Sequence, residues 1–158
     1  MHLRRALLAA CFLFTSPALA DADRFGVTYL PGAQLVAKIE KAPDKAEGSA
    51  WIDLFRKPGY GAVLVRRTKP GRAEVHTALT DVWYVIDGAG TLVTGGALVD
   101  GKKTEPGELR GRAISGGIAH RLGKGDVIEI PAGVPHWVSA VQGKELVYLT
   151  VKVASPSP

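Results

Sequence analysis

The stretch Gly125-Asp-Val-Ile-Glu-Ile130-Pro131-Ala-Gly133-Val-Pro135-His136-Trp-Val-Ser-Ala140 decides the fold. Val127 to Ile130 is a short apolar run closed off by Gly125 before it and Pro131 after it, which is how a strand between turns reads. Pro131-Ala132-Gly133 supplies the turn: the proline fixes one backbone angle and the glycine accepts left-handed ones. His136 then opens a second strand, His136 to Ala140. A histidine in that position can face either way. The apolar run just before it implies a buried neighbour, so it is expected to point inward.

Working outward, the same texture extends over most of the chain. Ala62 to Arg67, Val82 to Ile86, Gly90 to Thr94 and Leu146 to Val153 are further apolar or aromatic runs. Lys69-Pro70-Gly71, Ile86-Asp87-Gly88 and Val99-Asp100-Gly101 read as turns between them. Many short strands joined in this way predict an all-β sandwich or barrel. Thr94 to Gly117, rich in glycine and mixed in charge, is expected to be a long hairpin excursion. One helical period stands apart: Leu35, Val36 and Ile39 share a face between Pro31 and Ala42, predicting a short amphipathic helix that covers one end of the sheet and stops before Pro43.

The first twenty residues are of another kind. Arg4 and Arg5, an apolar run from Ala6 to Phe14, and the ending Ala18-Leu19-Ala20 have the layout of a secretory signal peptide. The run is shorter than the about 20 apolar residues a permanent span needs, so no stable membrane insertion is expected after cleavage. The expected organisation is therefore a signal peptide over 1–20, an extension with the helix over 21–50, one barrel domain over 51–153 and a tail over 154–158. The expected location is periplasmic or secreted. Cleavage removes Cys11, the one cysteine, which excludes disulfides and thiolate chemistry in the mature chain. It also lowers the formal charge from +5 to +3, with no clustered basic run, so nucleic acid is not an expected partner. At 46% hydrophobic and 22% charged, the 158 residues can enclose one core but not a second catalytic domain.

Two of the three histidines left after cleavage have informative neighbours. In Glu74-Val-His76 the residues two apart project to one face of a strand. Thr77 to Thr80 would turn the chain, and the returning strand would place Asp81, Trp83 and Val85 on one face. If that face is the inner one, a second carboxylate meets Glu74 and His76. With an inward His136, two imidazoles and one or two carboxylates converge, a set suited to a divalent transition metal such as Fe, Mn, Ni or Zn. Such a site needs neutral imidazole and ionised carboxylate, so occupancy is expected to fall on acidification. The third histidine, His120, reads as a loop residue. Tyr60, Trp83 and Trp137 are candidates for lining a small-molecule pocket. Neither a Ser-His-Asp set nor a phosphate loop is present, because the Gly88-x-Gly90 and Gly95-Gly96 pairs do not precede helices.

The spacing of these residues resembles the two motifs of the cupins, small jelly-roll β-barrels. The second motif is Gly, five residues, Pro, one, Gly, two, His, three, Asn; Gly125, Pro131, Gly133 and His136 match it, with Ala140 in place of the final Asn. The first is His, one residue, His, three or four, Glu, six, Gly; Glu74, His76, Asp81 and Gly88 keep that spacing, with Glu for the first His and Asp for the Glu. The resemblance implies a cupin-type antiparallel jelly-roll barrel with His76 and His136 as metal ligands, and Glu74 and Asp81 as acidic ligands or near neighbours. It also makes a homodimer an expected assembly. The function expected is an exported protein that binds one metal and acts on a small organic molecule by isomerase, lyase or dioxygenase chemistry. The carboxylate left unbound, Asp81 or Glu74, would carry the proton. The alternative is a metal-free barrel that captures a small molecule, and a third expectation is a domain whose role is mainly self-association.

Overall fold

A computed structural model describes residues 24–155. The segment expected to be a signal peptide and the last residues of the expected tail lie outside the described residues. The elements run α1 (Gly32–Lys41), β1 (Ser49–Lys57), β2 (Tyr60–Arg67), β3 (Ala73–His76), β4 (Leu79–Thr94), β5 (Ala97–Val99), β6 (Lys102–Glu105), β7 (Glu108–Gly111), β8 (Ala113–Ser115), β9 (Ile118–Gly123), β10 (Val127–Ile130) and β11 (His136–Ala154). Among the described residues the chain is all-β apart from one short helix, and every strand pairing is antiparallel.

Two long strands organise the barrel. β11 pairs with β2, β3 and β4, whereas β4 also pairs with β9 and β10. Alternation along them separates two cores. Tyr148 from β11 joins Trp83 and Val85 from β4 and Val65 from β2 in a cluster inside the barrel. The residue before it, Val147, packs instead with Ala62 and Leu64 in a second cluster on the outer face. That outer cluster is covered by α1, whose Ile39 is buried and whose Leu35 packs against it. Pro31 and Ala42 flank the helix as its caps, so the observed span agrees with the apolar period. Lys38 and Lys41 in its last turn complement the negative end of the helix dipole.

Three local expectations are corrected. Asp87-Gly88 is not a chain reversal: β4 runs through it, and the irregularity lies opposite, where β11 passes from Gln142, paired with Ala89, to Leu146, paired with Gly88. Gly88 has a φ of 77°, and any side chain there would run into the Glu145 carbonyl, so the position needs glycine although the strand continues. His120 lies on β9 rather than in a loop, with Nε2 2.9 Å from Thr94 Oγ1. The 94–117 excursion is a long hairpin as expected, β5 pairing with β8 and β6 with β7, and β6 and β7 extend the sheet beyond β3. β11 also reaches Ala154, the first residue of the expected tail, and Ser155 donates its backbone N–H to Ala78.

Candidate metal centre

Strand register brings the site together. On β3, Glu74 stands opposite His136 of β11 on one side and Arg110 of β7 on the other, while His76 stands opposite Glu108 of β7. On β4, Asp81 stands between Ile130 of β10 and Lys152 of β11. The turn that carries the Pro131 and Gly133 spacing is tied to the first histidine, because the Gly133 N–H donates to the His76 carbonyl at 2.8 Å. Gly133 has a φ of 82°, which a residue with a side chain rarely adopts.

His76 and His136 are both buried, with ring centroids 5.1 Å apart. One ligand atom from each of Glu74, His76 and His136 lies within 4.8 Å of the others. His136 Nδ1 is 3.1 Å from the Val134 carbonyl oxygen, which can only accept, so Nδ1 carries the proton and donates. Nε2 is then the lone-pair nitrogen of the neutral ring. It is buried without a hydrogen-bond partner, and Glu74 Oε1 stands 3.5 Å away. Two lone pairs facing each other at that separation call for a cation between them, either a proton on Nε2 or a metal ion. A divalent metal fits this donor set of two imidazoles and one carboxylate.

His76 is held differently. Glu108 places both carboxylate oxygens 2.8 Å from Nδ1, and Lys152 Nζ stands 2.9 Å from Nε2. Burial, followed by the Lys152 ammonium, lowers the pKa of His76, so the neutral ring is favoured. Its Nδ1–H then donates to Glu108, the arrangement in which an outer carboxylate fixes the tautomer of a metal-binding imidazole. Arg110 braces both acids, with Nη1 2.9 Å from Glu74 Oε2 and Nη2 2.9 Å from Glu108 Oε2. Burial alone would raise the Glu74 carboxyl, but the adjacent His136 and Arg110 outweigh it and hold the group well below the usual carboxylate range.

The structure places the remaining predicted residues as follows. Asp81 faces inward, 3.7 Å from His76, but Lys152 donates to both of its oxygens at 2.8 Å and Trp83 Nε1 to one of them at 3.3 Å. It is next to the cluster of three rather than within it. Trp83 is buried, stacked on Tyr148 at 4.2 Å and edge-on to His136 at 6.0 Å. Trp137 is half-buried and donates from Nε1 to the Gly71 carbonyl, away from the imidazoles. Tyr60 lines a cavity of about 280 Å³ that it shares with Phe55, Val63, Leu79 and Lys152. Glu108, Arg110 and Lys152 are site residues that the motif spacing did not reveal. Lys152 alone carried a signal, since it shares the inward parity of Tyr148 and Thr150 along an apolar strand.

A family model described as Cupin matches residues 56–157, well over half of the chain. The chain belongs to the cupin family. Solved structures similar to this cupin include KdgF from Halomonas sp., at 19% identity and a TM-score of 0.51 over 72% of this chain and 87% of that one. A conserved protein with a double-stranded β-helix domain from Klebsiella pneumoniae matches at 15% identity and a TM-score of 0.54, over 75% and 88% of the two chains. A recombinant oxalate oxidase in complex with glycolate matches at 17% identity and a TM-score of 0.53, over 77% of this chain and 59% of that one. At these identities the likeness establishes the jelly-roll barrel and nothing about the reaction. No curated protein sequence matches the cupin significantly.

Proposed function

We propose that this cupin, a single-barrel member with a variant first motif, binds one divalent transition metal through Glu74, His76 and His136 and acts on a small organic molecule. The observation that carries the reading is the buried, unpartnered Nε2 of His136 facing the Glu74 carboxylate. Bound there, the metal would supply Lewis-acid polarisation of a substrate oxygen. Glu108 would orient His76, and Arg110 would keep Glu74 ionised. Asp81, outside the cluster of three, is the carboxylate left to hold or move a proton. The cavity bounded by Tyr60, Phe55 and Leu79 offers room for a small substrate, and its wall reaches Lys152. The amino-terminal layout of Arg4, Arg5 and Ala18-Leu19-Ala20 supports action outside the cytoplasm, and exposed strand edges leave a homodimer as the assembly we propose.

Metal analysis by mass spectrometry of the untagged mature chain tests this, after incubation with Fe, Mn, Ni or Zn and desalting. One ion per chain in the parent and none in His136→Ala is the expected result. A parent that stays empty would move the reading to a metal-free binding barrel. That second reading is favoured by one observation, the Lys152 ammonium already seated on His76 Nε2.

A further inference from the structure

We propose that Lys152 is a built-in cation that occupies the His76 and Asp81 side of the site, so that a divalent ion must displace its ammonium to reach His76. This rests on the metal-binding reading above. Three acceptors surround Nζ: Asp81 Oδ1 and Oδ2 at 2.8 Å each and His76 Nε2 at 2.9 Å. An ammonium has three N–H donors and no acceptor, so these contacts saturate it. With Nδ1–H committed to Glu108, His76 has one lone pair, on Nε2, and Lys152 takes it. A metal ion needs that same lone pair. Two cations on one nitrogen, beside a single buried Asp81, are excluded by electrostatics at this range.

The arrangement follows from the fold rather than from a chance rotamer. Lys152 stands opposite Asp81 in the β4–β11 register, and its inward parity aims it at the barrel interior. Asp81 is almost wholly buried, with 2% side-chain exposure, against 28% for Lys152. The lysine is therefore the partner that can leave. Its side chain borders the 280 Å³ cavity with Leu79 and Tyr60, which gives the ammonium space to move into. Displacement would free Asp81 and His76 together, giving the incoming ion both the lone pair and a buried negative charge. In this protein Lys152 thus sets metal occupancy: it stabilises the metal-free barrel and weakens binding.

Calorimetric titration of Mn²⁺ and Zn²⁺ into the untagged parent and Lys152→Met, a neutral side chain of similar length, tests this. Loss of the competing ammonium is expected to tighten binding roughly tenfold or more. Parent binding that Lys152→Met matches or weakens overturns the role of Lys152 and leaves the metal reading standing. Absence of binding in both folded proteins overturns the two together. A second measurement needs no variant: the parent is acetylated with and without saturating metal and its lysines are quantified by mass spectrometry. Metal is expected to speed labelling of Lys152 and leave the exposed Lys102 and Lys103 unchanged. A Lys152 rate that metal leaves unchanged or slows also overturns the proposal.

Discussion

The two imidazoles of the site occupy equivalent depths in the barrel yet have opposite surroundings. His136 is anchored through Nδ1 to a backbone carbonyl and left with a bare Nε2 beside Glu74. His76 is engaged on both nitrogens, by Glu108 and by Lys152. Burial is therefore no guide to which histidine is ready for an ion. What differs is the charge that meets Nε2: on the His136 half it is the Glu74 carboxylate of β3, and on the His76 half it is the Lys152 ammonium of β11. One half has an opening for a cation, and the other already contains one.

Substitutions that act on one half and spare the other would sharpen this contrast. The largest effect is expected from Trp83→Ala, which removes the ring between His136 and Tyr148. A buried Trp truncated to Ala costs about 3–5 kcal/mol, and urea denaturation of the metal-free chain should register it. A loss under about 1 kcal/mol would mean that the His136 wall is not packed as described. Glu108→Gln is expected to act on the other half: it removes the charge that orients His76 and pairs with Arg110. The metal affinity should drop about tenfold or more, a typical result for outer carboxylates, with little change in thermal stability. Unchanged affinity would show that His76 is already oriented by the strand alone.

The smallest effect is the pH dependence of stability. Glu74 and His76 both have folded pKa values below their ordinary ones. Each therefore contributes stability that is fully present above its unfolded pKa and is lost as pH falls through its folded one. In urea denaturation, the metal-free protein should begin to weaken as pH drops below the usual imidazole value of 6.5, and weaken further below the usual carboxylate value of 4.5. Glu74→Gln should flatten the lower part of that curve and leave the upper part in place. A single acid limb lost entirely in Glu74→Gln would assign no role to His76.

The barrel was legible because its signals are local. Alternating apolar residues and the Pro131-Ala-Gly133 turn state their own conformation, and the short helix announces itself through Leu35 and Ile39. β1 was less so: it lies at a sheet edge with Asp53, Arg56 and Lys57 among its residues, and a strand open to water on one side need not be apolar. Gly88 misled for an instructive reason. A positive φ in a glycine is shared by turns and by bulges, and only the partner strand shows which one is present.

Sequence by itself determined that this chain makes many short strands joined by turns, with Glu74 and His76 on one face of a strand and a rigid turn ahead of His136. Those features depend on spacing of two residues or on the backbone freedom of single positions. Which partners each imidazole meets was decided only by the tertiary structure. Glu108 and Lys152 lie 32 and 76 positions from His76 and reach it through the register of β3 with β7 and of β4 with β11, while Arg110 reaches Glu74 and Glu108. Register is a property of paired strands, so no single segment of the chain encodes it.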